Sequence, residues 1–379
     1  MVSRRGFIFG SIGVGSAVIV GGGIGKAAQN GLFSAGEGDG FTAWDESLEG
    51  MSGIAAAGVL AASSHNTQPW SFRVSDDGID VLGDSKRLMG AADPRLRELH
   101  ISLGCAIENM AVAAAAQGLA TDVEIVRGGS EHFARLTFAP GLVDAAYAAL
   151  AEQIPLRSTN RGAYDADRAP GSPERDIFSA CLTGDVSLKL LSSAEERSAF
   201  SALTVAATGV HVADEKMQRD SHAWYRMTQA EVERYQDGIT IDGAAAGIVG
   251  TTFLKMFPPT PDAFDEQWAK VTGETHCATA PMFGLLVAGA VGDHAAWIAA
   301  GRAYQRIQLE ATRLGIATHP LSQSLAVRDR DLAVGTRNEF AEGLDVYADG
   351  GEVVLAFRLG YPKADVPRSP RRALADSSI

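Results

Sequence analysis

The sequence predicts an α+β fold assembled from two related, helix-rich halves, and three observations carry that expectation. A helical segment recurs, β-like runs flank both copies in the same way, and 379 residues suit about two units of ordinary domain size. Segment 103–121, LGCAIENMAVAAAAQGLAT, aligns without gaps to segment 300–318, AGRAYQRIQLEATRLGIAT. The identities fall on Gly104/Gly301, Ala106/Ala303, Ala114/Ala311, Gly118/Gly315, Ala120/Ala317 and Thr121/Thr318. Small residues dominate one face of each copy, so two such helices can approach closely. Each ends at a Gly suited to a left-handed cap. Strands are expected at Ile79–Leu82, Asp122–Val126 and Phe133–Phe138 around the first copy. Around the second they are expected at Met282–Val291, Leu344–Tyr347 and Glu352–Leu359, with Met282–Val291 apolar throughout, as in a buried strand. Two units with matching central helices would pack about a pseudo-twofold axis, as the subunits of a homodimer do, so the chain is expected to be a monomer.

The first thirty residues are different material. Ser3-Arg4-Arg5-Gly6-Phe7 precedes an apolar, Gly-rich run, Ile8 to Ile24, with no charge until Lys26. This resembles a twin-arginine export signal, which implies the export machinery as a partner, passage of a folded chain and an extracytoplasmic, periplasmic location. A Sec signal or a retained anchor stays open, although the glycines lower the hydrophobicity of a spanning helix. Gly21-Gly22-Gly23 lacks the flanking strand and βαβ unit of a dinucleotide fingerprint. Residues 31–46 read as a flexible linker, 47–150 as the first repeat and 151–379 as the second. Within the second, residues 211–275 form an insertion or lid containing Trp224, Tyr225, Tyr235, Phe253, Phe257 and Trp268.

Composition excludes some functions. A net charge of −13 disfavours a nucleic-acid or anionic-membrane surface, so any phosphate site must be local. The cysteines Cys105, Cys181 and Cys277 show no ligand spacing and leave buried thiols or one disulfide open. No Ser/His/Asp order or paired-carboxylate motif suggests hydrolysis.

Four segments carry chemistry. Ser63-Ser64-His65-Asn66-Thr67-Gln68-Pro69-Trp70 offers hydroxyls and amides in a loop stiffened by Pro and Trp. Arg157-Ser158-Thr159-Asn160-Arg161 and the C-terminal Arg371-Arg372, after Gly360-Tyr361-Pro362, supply forked cations that match phosphate oxygens. His319-Pro320-Leu321-Ser322-Gln323 follows the second repeat helix, and His319 is a candidate acid.

Together these resemble the FMN-dependent nitroreductase family, whose flavin loop reads SSxNxQPW. Asp93-Pro94-Arg95-Leu96-Arg97-Glu98-Leu99, Thr159-Asn160-Arg161 and Ser369-Pro370-Arg371-Arg372 are similar to its Acg-type branch. The resemblance implies a nitroreductase-like pseudo-dimer in one chain, with FMN passing a hydride or electron pair to a small organic substrate of nitroaromatic or quinone type. It implies flavin contacts from Ser63, Ser64, Asn66 and Gln68 and phosphate contacts from Arg157, Ser158, Thr159, Arg161, Arg371 and Arg372. The backbone of Pro320, Leu321, Ser322 and Gln323 would lie near the reactive ring. The first half lacks the Arg-rich opening and the second lacks the SSxNxQPW loop, so one complete FMN site is expected. An FMN-sequestering protein with a closed lid is the alternative.

Overall fold

The computed structural model describes residues 25–126, 131–336 and 339–379. The Arg4-Arg5 pair and the apolar run to Ile24, the expected export signal, lie outside them.

The two halves carry the same sheet topology. The first sheet orders its strands Trp70–Ser75, Gly78–Gly83, His132–Pro140 and Leu119–Ile125, all antiparallel. The second orders Val186–Leu191, Met282–Ala288, Glu352–Gly360 and Ala317–Pro320 in the same sequence of roles, again all antiparallel. In each, the long central helix follows the second strand and leads into the third. The difference lies between the first two strands. In the first half a two-residue turn, Asp76-Asp77, suffices. In the second half the chain leaves for the whole of residues 192–281, a wider excursion than 211–275, containing helices Ala194–Ala213, Gly247–Met256 and Pro261–Val271.

The central helices Arg97–Ala116 and His294–Arg313 cross at the identical glycines. A Cβ on Gly104 would collide with the Ile298 carbonyl oxygen, and one on Gly301 with that of Ile101. Backbone therefore touches backbone, and Cys105 Sγ donates to the Gly301 carbonyl at 3.3 Å. Polar side chains lock the crossing. Gln305 Nε2 donates to Asn109 Oδ1 at 2.7 Å, and Arg302 and Arg306 both pair with the buried Glu108. Gly118 and Gly315, at φ +75° and +68°, end the repeats in the left-handed conformation expected of them.

The segment 93–99 ties the halves together. Asp93 caps the first central helix by accepting from the Glu98 and Leu99 amides at 3.0 Å. Arg97, fully buried, donates through Nε to Asp329 Oδ2 at 2.7 Å, while Arg95 reaches Asp329 and Glu352. Losing one partner of such a buried pair costs about 3–5 kcal/mol, because the other charge stays buried.

Three expectations are corrected. Residues 31–46 are a packed strap, with Phe41 and Trp44 buried and Trp44 Nε1 donating to the Ser369 carbonyl at 2.9 Å; their Gly content permits positive φ at Gly31, Gly36 and Gly38. Leu344–Tyr347 is the end of helix Glu339–Asp345 and its turn, because Leu344 and Tyr347, three apart, both turn into a core cluster with Phe200 and Phe283. The predicted strand at Met282–Val291 stops at Ala288. The three cysteines are free and buried.

Candidate functional site

Where the central helices, the Ser63 loop and the 192–281 excursion meet, they enclose a cavity of about 780 Å³, within the roughly 300–1,000 Å³ range of ligand pockets. Both halves build it. The first contributes Ser63, Ser64, His65, Glu98, Ser102 and Cys105; the second contributes Thr159, Arg161, Tyr304, His319, Pro320, Ser322 and Gln323. The excursion adds an apolar wall that includes Phe253, Leu254, Phe264 and Trp268. Trp224 packs instead against Met89 and Ala92.

The Ser63 loop divides its residues between two tasks. His65, Asn66 and Gln68 all adopt left-handed backbone, at φ 47°, 55° and 50°. The loop leaves Ser63, Ser64 and His65 on the cavity wall and buries Asn66 and Gln68 behind it. Ser63 Oγ accepts from the Gln68 amide at 3.0 Å. Asn66 Oδ1 accepts from Arg371 Nη1 at 2.6 Å, and Gln68 Oε1 accepts from the Arg372 amide at 2.9 Å. Arg372 Nη2 also donates to the Gln68 and Trp70 carbonyls. Asn66, Gln68, Arg371 and Arg372, expected at the ligand, thus form a clasp that fastens the C-terminal tail to the first half. The tail then pairs with the edge strand, the Ile379 amide donating to the Phe72 carbonyl. Leu321, fully buried in the core, and Ser158 are likewise off the cavity wall.

The cations are unusual. Arg157, Arg161 and Arg371 have no carboxylate partner among the described residues. Arg157 makes only long bonds, 3.5 Å to Gln308 Oε1 and 3.4 Å to the Leu60 carbonyl, and its Nε is buried and unpartnered. Arg371 Nε is also unpartnered, while its Nη2 donates to the adjacent Ala61 carbonyl at 3.1 Å. Burial pulls all three guanidiniums below their usual value, Arg161 to about 10, and the Arg157 charge pushes Arg371 lower still. Two neighbouring buried cations without a counter-ion raise the local potential, which an anion would relieve. Arg161 reaches the wall itself, whereas Arg157 and Arg371 stand behind it.

Sequence reasoning overlooked most of the histidines. Four of the chain's eight, His65, His211, His276 and His319, line this one cavity. Burial holds each below its usual value, His65 to about 3 and His211 to about 4, and His276 and His319 well below. His319 Nδ1 accepts from Arg358 Nε at 3.1 Å, so its neutral ring carries the proton on Nε2. It can donate a hydrogen bond from Nε2, and burial disfavours the charged form of this candidate acid. His276, edge-on against His319 at 4.7 Å, has neither ring nitrogen in close hydrogen-bonding geometry with a partner among the described residues, although the Arg161 backbone lies near enough to favour its proton. Ser322 Oγ and Gln323 Oε1, at the start of helix Gln323–Val334, are also buried and unpartnered. Such orphaned polar atoms cost about 1–3 kcal/mol each unless a ligand or water satisfies them. The cavity is therefore suited to a ligand with an anionic end, a polar edge and a flat apolar body.

No family model matches the sequence. Over 326 residues it is 28% identical to a Mycobacterium tuberculosis H37Rv protein carrying the provisional name NAD(P)H nitroreductase Rv3131, covering 84% of this chain and 87% of that one. It is 32% identical over 104 residues to the provisionally named NAD(P)H nitroreductase acg of the same strain, 27% of this chain and 31% of that one. A solved structure of a nitroreductase with bound FMN from Desulfitobacterium hafniense aligns to 59% of this chain and 94% of its own length, at 14% identity and a TM-score of 0.35.

Proposed function

Because this chain belongs to the nitroreductase family, we propose that it is an oxidoreductase that binds FMN in the cavity between its halves and reduces a small aromatic or quinone-like molecule there. The observation that carries the reading is the combination of unpaired buried cations with unpartnered polar atoms around a cavity that both halves build. These residues fit FMN. Arg161, supported by Arg157, would face its phosphate, hydroxyls of Ser63, Ser64, Ser102 and Thr159 its ribityl chain, and Ser322, Gln323 and His276 the polar edge of its ring. When bound, the flavin supplies hydride or electron-pair transfer between a donor and an acceptor. The chain's own residues exclude water with Phe264, Trp268 and Tyr304, and His319 is available to donate from Nε2.

The reading is tested by binding. Arg157→Ala and Arg161→Ala should each weaken FMN affinity by about 1.5–3 kcal/mol, roughly 10- to 150-fold, in a fluorescence-quenching titration of apoprotein. Gln68→Ala should instead act mainly on folding, through the clasp. Unchanged affinity in both arginine variants would place the phosphate elsewhere.

We further propose that Ser3-Arg4-Arg5-Gly6-Phe7 and the run to Ile24 direct folded export by the twin-arginine route. A non-covalent cofactor held between two halves is best loaded before the membrane is crossed. Arg4→Lys with Arg5→Lys should trap the protein in the cytoplasm, and undiminished export of that variant would favour the Sec route.

A further inference from the structure

The helix Gly247–Met256 presents a surface unlike the rest of the molecule. Ile248, Val249 and Phe253 are 78%, 84% and 59% exposed, and Phe257 follows at 51%. Between Gly243 and Thr260 the sequence holds one charged residue, Lys255, and that side chain is buried, donating to Asp242 Oδ2 at 2.8 Å. A water-facing helix normally carries charge on its outer side. This one carries none, in a chain that is 21% charged.

The same helix forms the cavity's mouth. Ala246, Gly247 and Phe253, with Ala263 and Gln267 of the next helix, Pro261–Val271, both line the cavity and stand exposed. The N-terminal strap is fastened to it: Lys255 Nζ donates to the Gly31 carbonyl at 2.7 Å, and Asn30 Nδ2 to the Lys255 carbonyl at 2.8 Å. The charge-free run Ile8 to Ile24 thus joins the folded protein a few residues from this face, and Phe33, 77% exposed, extends the strap's apolar surface.

We propose that this face docks on a lipid bilayer and that the acceptor is a lipid-soluble quinone that enters the cavity from the membrane. Docking is by insertion of apolar side chains rather than by charge, since the net charge is −13 and Asp262 and Glu266 lie exposed on the next helix. The substrate class rests on the oxidoreductase reading above. The docking does not. In the reaction an organic hydride donor of the dihydronicotinamide class, supplied as NADPH in the assay below, gives up a hydride, and the quinone gains that hydride and one solvent proton to become a hydroquinone.

Two measurements test this on the full chain. Val249→Cys introduces an exposed thiol where the three native thiols are buried, so a polarity-sensitive fluorophore can be attached there. Leu142→Cys, at a position 93% exposed and off the cavity wall, is the control. Phosphatidylcholine vesicles should raise and blue-shift the signal at 249 and leave that at 142 unchanged. An unchanged signal at 249 overturns the proposal. So does a label already shielded without vesicles, whether by the N-terminal run in a monomer or by a second copy in a dimer. The second measurement uses Ile248→Asp with Val249→Asp, neither of which lines the cavity. NADPH-driven reduction of a vesicle-borne long-chain quinone should fall about tenfold or more, with a short water-soluble quinone kept within about twofold. Equal loss on both overturns membrane delivery. Absence of turnover with either quinone in the unaltered chain overturns the oxidoreductase reading while leaving the fluorescence result to judge docking.

Discussion

Acidification below pH 6.5 is expected to destabilise the ligand-free protein steeply. His100, His211, His276 and His319 are 3%, 4%, 2% and 6% exposed, and burial holds all four below their usual value, His100 and His211 to about 4. For a group whose folded pKa is depressed, the unfolded chain binds the extra proton. Stability is therefore full above the unfolded value of about 6.5 and is lost as pH falls towards the folded one. Each such histidine contributes about 1.4 kcal/mol per pH unit. Asp93, raised to about 7 by burial with the Glu98 charge adding, acts in the opposite sense between about pH 4 and 7, and Asp242, raised by burial, opposes the histidines too. The balance leaves two to three protons, or about 3–4 kcal/mol per pH unit. Urea midpoints between pH 7 and 5 read this directly, and a flat profile would contradict the burial of these rings.

The second large effect belongs to the helix crossing. Gly301→Leu or Gly104→Leu must push apart two backbones in contact and the Glu108 cluster with them. A loss of about 3 kcal/mol or more is expected, enough to prevent folding of a marginal chain. Gly209→Ala, in the helix Ala194–Ala213 with nothing within 4 Å of its new Cβ, should be neutral or slightly stabilising. Denaturant midpoints separate the two cases. Equal tolerance at Gly104 and Gly209 would mean that the halves do not meet at the repeat glycines.

The repeat was readable because it is local. Gly104/Gly301 and Gly118/Gly315 are fixed by contact and by positive φ, and both constraints leave a glycine in the sequence. The cavity was readable only in part. Ser63, Ser64, Arg161, Ser322 and Gln323 lie on its wall. Asn66 and Gln68 stand in the same loop but face the tail, since three left-handed residues within four positions, His65, Asn66 and Gln68, set the direction of their side chains. Sequence spacing carries residue type and not side-chain direction. The clustering of the histidines escaped notice for another reason. His65, His211, His276 and His319 come from four distant segments, and only tertiary packing brings them together. His65 occupies the unspecified third position of the loop motif, which offered no signal.

In the proposed function, two unequal halves build one flavin site. Measuring bound FMN per chain, by absorbance against protein concentration on the purified, FMN-reconstituted protein with its mass in solution, tests it most directly. A yellow monomer with one FMN per chain is expected. Two FMN per chain, or a colourless protein after reconstitution, would contradict it.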